Sequence, residues 1–177
     1  MKFSFTDDQR LFAEGLRDLL DNECPSSVVR QTWENGSGHS PELWAKLGDM
    51  GVLGLLVSEE HGGMGGSLVD AVLLFQELGR AAAPGPVLEH MAVAAPLLAS
   101  SVPGVIDGST IATIAIDSSP YVAHPHVADV IAARDGILSD FSSIAVDGLD
   151  GGRRIATATG GIPHALGVPV LRTFDTM

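Results

Sequence analysis

The spacing of the apolar residues changes once along this chain, and that change constrains the fold more than any other feature. Up to residue 102 the apolar positions recur at the 3.6-residue interval of an amphipathic helix; from Thr110 they alternate, as in a half-buried strand. The reading is therefore α+β. An all-α helical domain at residues 1–102 precedes a short, incomplete antiparallel β domain at residues 109–177, with the turn-rich stretch Pro103-Gly104 to Asp107-Gly108 as the boundary. Composition shifts nearby. Lys2 and Lys46 are the only lysines, Glu89 is the last glutamate, and the 88 residues after it carry eight Asp and four Arg.

In the first half, Thr6-Asp7-Asp8-Gln9 has the form of a capping box, and Phe5 precedes it as a hydrophobic staple. Leu11, Phe12, Leu16, Leu19 and Leu20 are read as one helical face, ended soon after Cys24 by Pro25. A second helix is expected from Ser26 to Glu34, stopped by Asn35-Gly36-Ser37-Gly38. A third starts with Ser40 as N-cap and Pro41 in the first turn, with Gly51 beyond its end. Val52 to Val57 reads as a compact extended run. Ser67 and Asp70 then cap an apolar helix through Leu78, and Val87 to Ser100 forms another that Pro96 kinks or breaks. In the second half strands are expected at Thr110–Ile116, Val127–Ala133, Ser143–Val146 and Arg154–Thr159, separated by Asp-Gly turns.

Several function classes lose support at once. With 10 Lys+Arg against 22 Asp+Glu, the net charge of −12 repels nucleic acid and anionic lipid. No apolar run is long enough to span a bilayer, and the polar start MKFSFTDDQR is unlike an export signal, so a cytoplasmic location is expected. Cys24 is the single cysteine and reads as a small buried hydrophobe.

The motifs that suggest chemistry each have a plainer reading. Gly62, Gly63, Gly65 and Gly66 lie between His61 and Ser67, just before a helix, where amides can meet a phosphate. The segment lacks both a P-loop ending and a Gly-x-Gly-x-x-Gly pattern, so it is read as a structural glycine loop. His124, His126 and Asp129, with His164 far off, lack the spacing of a metal cage and read as surface-loop residues; no metal site is assigned. Trp33 and Trp44 read as core or interface anchors, and Arg153-Arg154 as an exposed strand end. No Gly-x-Ser-x-Gly elbow supports a hydrolytic triad, and no catalytic residue is assigned.

The order of these segments resembles the acyl-CoA dehydrogenase family. The similarity lies in Phe5-Thr6-Asp7-Asp8-Gln9-Arg10-Leu11 and in Leu43-Trp44-Ala45-Lys46-Leu47-Gly48-Asp49-Met50-Gly51. It continues through Ser58-Glu59-Glu60-His61-Gly62-Gly63-Met64-Gly65-Gly66-Ser67 and Phe75-Gln76-Glu77-Leu78-Gly79-Arg80-Ala81. The resemblance implies FAD as cofactor, an acyl-CoA substrate, and a glutamate base carried by a C-terminal four-helix domain. Such a domain is expected to be absent from a chain ending at Met177 with no Glu after Glu89. The family's flavin-contacting segment is replaced by Ala115-Ile116-Asp117-Ser118-Ser119-Pro120, so no flavin contact is carried over to a numbered residue. The resemblance therefore implies a chain linked to flavin-dependent α,β-dehydrogenation but inactive alone. It would assemble with a dehydrogenase-type partner or with itself; a non-catalytic subunit completing a partner, or the product of a truncated reading frame, are the alternatives.

Overall fold

The computed structural model describes residues 4–116, 119–134 and 136–164, with side chains described to residue 161. Helix α1 (Asp7–Glu23) opens with the expected capping box: the Gln9 N–H donates to Thr6 Oγ1 (3.2 Å) and the Thr6 N–H to Gln9 Oε1 (2.8 Å). Its buried stripe is Ala13, Leu16 and Leu20, flanked by the half-buried Phe12 and Leu19. Leu11 is 68% exposed, contrary to expectation. At about 100° per residue it sits roughly 160° around the helix from Ala13.

Helices α2 (Ser26–Glu34) and α3 (Pro41–Asp49) follow the predicted limits, and Ser40 Oγ accepts the Leu43 N–H (3.3 Å). Residues 52–57 are not extended. They fold into successive turns, Leu55 N–H to Val52 O and Val57 N–H to Gly54 O, which bury Val52, Leu53, Leu55 and Val57 together. Helix α4 (Leu68–Arg80) starts with Asp70 accepting from the Ser67 N–H (2.7 Å) and hydroxyl (2.6 Å). Gln9 Nε2 also donates to Asp70 (2.6 Å), so the starts of α1 and α4 are tied together.

Farther along the same pair of helices, Glu77, with a side chain 7% exposed, accepts from Arg17 (2.6 and 3.0 Å) and from Arg80 (2.7 Å). Those guanidinium bonds, Arg17's first, hold its carboxyl down to about 2 against the opposing effect of burial. The next helix begins as α5 (Val87–Glu89), widens into a π turn (His90–Ala94) and ends as α6 (Ala95–Leu98). Pro96 thus neither breaks nor sharply ends the helix; the Ala95 N–H reaches five residues back to His90 O.

The sheet has the order β1-β3-β4-β5-β2, from β1 (Ala112–Ile114), β2 (Val122–Ala123), β3 (Val130–Ala133), β4 (Gly136–Val146) and β5 (Ile155–His164). Three of its ladders are antiparallel, while β1 joins β3 in parallel. The short β2 was not foreseen, and β4 and β5 run longer than the alternation suggested. One core gathers α1, α3, α4 and the 52–55 turns. A second joins Val57, Ala94, Ala95 and Leu98 to Ala112, Ala132 and Ile137, and so draws on both sides of residues 103–108.

Candidate functional site

A cavity of about 460 Å³ opens where the helical half meets the sheet. Its apolar wall comes from Trp33, Phe75, Leu78, Val87 and Leu88; its polar wall from Glu89, His124, Asp150 and Arg153. The volume lies in the range of small-molecule sites. The helical side is shaped by the turn after α4, where Ala82 takes a left-handed backbone (φ 49°) and Gly85 (φ 114°) passes close to His39 and Trp44. A Cβ on Gly85 would lie 2.9 Å from the His39 ring, so the close approach needs glycine.

The sheet side is carried by β2, β5 and the turn before β5. Arg153 is not a free strand end: its Nη2 donates to Glu89 (2.9 Å), whose side chain is 8% exposed. Arg154 donates from Nε to Gly36 O (2.8 Å). The paired arginines therefore clasp the helical half from the β half, a role their sequence context did not show. Asp150 is engaged as well, accepting the Gly152 N–H (2.8 Å).

The histidines separate into distinct roles. His124 is buried, not on the surface as expected, and follows β2 with φ 52°. Its N–H donates to Arg154 O (2.6 Å), while its Nδ1 is buried with no partner. Burial first, then the charges of His126 and Arg153, lower its pKa to about 4, so the ring is neutral at pH 7. His126 is exposed and its Nε2 lies 2.6 Å from Ser37 O. Asp129 accepts the Ile111 N–H (2.7 Å). The His164 side chain lies outside the described residues. Among the described residues, no three His, Cys, Asp or Glu come together as a metal site.

Cys24 is buried and faces Ala81 O (3.8 Å), and burial raises its thiol pKa. Trp44 is a core anchor whose indole N–H donates to Gly108 O (2.9 Å), whereas Trp33 is 47% exposed beside Gly151 and Gly152.

The glycine loop packs against the 52–57 turns, the Gly65 and Gly66 N–H groups donating to Val57 O and Leu55 O. A Cβ on Gly63 would lie 2.3 Å from Val57 O, and one on Gly66 3.0 Å from Leu55 O; Gly62 and Gly65 have positive φ. Their near space is filled by the chain itself, and the Glu59 side chain packs against Gly65. Among the described residues, this loop does not fit the pyrophosphate of a flavin nucleotide. Residues 117 and 118, where the family's flavin-contacting segment would fall, lie outside the described residues.

Residues 6–101 match the acyl-CoA dehydrogenase N-terminal domain. The chain belongs to the acyl-CoA dehydrogenase family. It is 32% identical over 161 residues to acyl-CoA dehydrogenase IpdE2 of Mycobacterium tuberculosis, a match covering 85% of this chain and 50% of that protein. The ChsE4-ChsE5 complex from Mycobacterium tuberculosis has the same fold over 96% of this chain and 58% of that one, at TM-score 0.76 and 20% identity. A Bacillus anthracis acyl-CoA dehydrogenase complexed with FAD matches 88% of this chain and 35% of its own, at TM-score 0.67 and 15% identity. The chain thus spans about half the length of the curated relatives it matches. Within the acyl-CoA dehydrogenase frame, the cavity lies between the family's N-terminal helical region and the sheet that follows it.

Proposed function

We propose that this chain forms one wall of the acyl-binding cavity of a flavin-dependent acyl-CoA dehydrogenase, and that a partner subunit completes the enzyme. The carrying observation is the cavity at the junction of the two halves, apolar on its helical side and about 460 Å³ in volume. The division into a helical unit at 1–102 and a β unit at 109–177 is part of the proposal, as is a structural role for Gly62, Gly63, Gly65 and Gly66. The carboxylates lining the cavity, Glu89 and Asp150, are engaged by Arg153 and the Gly152 amide. Each is committed through one oxygen, and a base supplied by the partner is part of the proposal. FAD, which accepts the hydride in this chemistry, would likewise be held mainly outside the described residues.

A partner is favoured over a solitary chain by the exposed apolar side chains of α4, Leu68 (59%), Val69 (61%) and Val72 (47%), and by Leu88 (52%). No helix among the described residues is long and apolar enough to cross a membrane; a cytoplasmic assembly is the proposal. The test is co-expression with a family member that carries the C-terminal domain. Co-purification, a bound flavin spectrum and dye-linked oxidation of acyl-CoA by the complex are expected, with none of the activity from either chain alone. Turnover and bound flavin in the isolated 177-residue chain would overturn the proposal.

A further inference from the structure

Trp33 stands between two cavities. It lines the one described above and a second of about 500 Å³, which reaches the buried Leu20, Cys24 and Val29. Ala82 is the other residue that lines both, and its methyl supplies little bulk. The two sides of the indole can be told apart. On one, the Gly151-Gly152 turn presses against it: a Cβ on Gly151 would lie 3.2 Å from Trp33 Cγ, and one on Gly152 2.8 Å from Nε1. Gly152 lines the first cavity. On the other, Val29 and Arg30, one turn earlier in α2, line the second.

The backbone keeps the indole in that place. The Gly36 N–H donates to Trp33 O (3.2 Å), and Gly36 O in turn accepts from Arg154 Nε (2.8 Å), so the end of α2 is tied to the β half. Hydrocarbon is available on both sides of the wall, from Phe75 and Leu78 in the first cavity and from Leu20 and Val29 in the second. We propose that Trp33 sets the length of the acyl tail this chain accepts by closing the first cavity against the second. A smaller side chain at position 33 joins the two into one site for a longer tail. This rests on the reading of the first cavity as an acyl site, and it adds to that reading a specificity-determining residue.

The test uses the purified full chain, ¹⁵N-labelled and without flavin or coenzyme A, and straight-chain primary alcohols from 1-butanol to 1-decanol. An uncharged head gives Arg30 and Arg80, which line the second cavity, no anion to draw in. Amide shifts in NMR titrations report both affinity and place. In the wild-type chain, affinity is expected to rise about fourfold per methylene, the ratio that burial of about 0.8 kcal/mol per CH₂ supports, and then to level off. In Trp33→Ala the rise should continue for about two further methylenes, so that 1-decanol binds roughly tenfold or more tightly than to wild type. With that alcohol the Cys24 and Val29 amides should shift in Trp33→Ala and stay still in wild type. Trp33→Phe, which keeps a smaller ring, should level off between the two.

Levelling at the same chain length in wild type and Trp33→Ala overturns the proposal. So does a wild-type affinity that climbs through to 1-decanol, or a wild-type chain whose Cys24 and Val29 amides already respond. If Trp33→Ala fails to fold, Trp33→Phe and the wild-type amides still decide. Alcohols that bind without regard to residue 33 sink this proposal alone. If no alcohol binds wild type or variant, the hydrocarbon reading of the first cavity falls with it.

Discussion

Gly63 and Gly79 make a paired test of what a glycine is for. A Cβ on Gly63 would fall 2.3 Å from Val57 O and 2.6 Å from Val57 C, backbone atoms that cannot swing aside. Gly79, in the last turns of α4, has nothing within 4 Å of the same added atom. We expect Gly63→Ala to cost about 2–3 kcal/mol through overpacking and to lower Tm by roughly 4–12 °C. Gly79→Ala should gain about 0.5–1 kcal/mol from helix propensity and raise Tm by roughly 1–4 °C. Differential scanning calorimetry reads both; equal effects at the two sites would remove the packing role from the loop. The sequence marks the loop by four glycines in five positions before a capped helix. It does not mark which glycine is pressed against backbone, because Val57 meets Gly63 only after the 52–57 segment has folded into turns. The unpartnered nitrogen of His124 was hidden for the same reason: its burial depends on the helical half closing over β2.

Elements were legible where a local signal specifies them. The capping box at Thr6, the Ser40-Pro41 start and the Ser67–Asp70 cap each act within four residues, and α1, α3 and α4 begin where they indicate. The signals that misled were apolar runs without a direction. Val52 to Val57 is apolar enough for a strand, yet it folds into turns, with Gly54 so close to Ile106 that a Cβ would lie 2.6 Å from its side chain. Pro96 marked a disturbance in its helix but not its form. The π turn instead holds His90 inside the core, where its Nδ1 accepts the Ala112 N–H (3.0 Å) and its Nε2 donates to Val105 O (2.7 Å). One imidazole therefore fastens the helix, the loop after it and strand β1. His90→Phe would fill the space and leave two buried backbone groups without partners. The expected cost is about 2–4 kcal/mol, with a Tm lower by roughly 4–16 °C. Denaturant unfolding followed by circular dichroism should show a lower midpoint with an unchanged slope; an unchanged midpoint would mean the bonds are replaced elsewhere.

At the scale of the whole molecule, buried histidines should set the acid side of the stability curve before any carboxylate does. His39, His90 and His124 all have pKa values lowered from 6.5, and in each case burial is the largest cause. Around His39 and His124 the facing groups are His126, Glu42, Arg153 and Asp150; His90 bonds the backbone of Val105 and Ala112 and meets the Trp44 ring edge-on. With folded values below unfolded ones, the unfolded chain binds more protons as pH falls through 6.5. Their stabilisation is therefore complete above 6.5 and is lost as pH falls toward the folded values, about 4 for His124. Glu77 and Asp70, both lowered to about 2 by their hydrogen bonds, act later: their share is intact above roughly 4.5 and disappears between there and 2. Unfolding near pH 5 should take up protons, and their number should fall in His90→Phe. Denaturant titrations at half-unit pH steps give that number from the slope of stability against pH. The two halves should respond together, since Arg153–Glu89, Arg154–Gly36 and His90–Ala112 all cross between them. A stability flat from pH 7 to 5 would show that these imidazoles are hydrated in the folded protein.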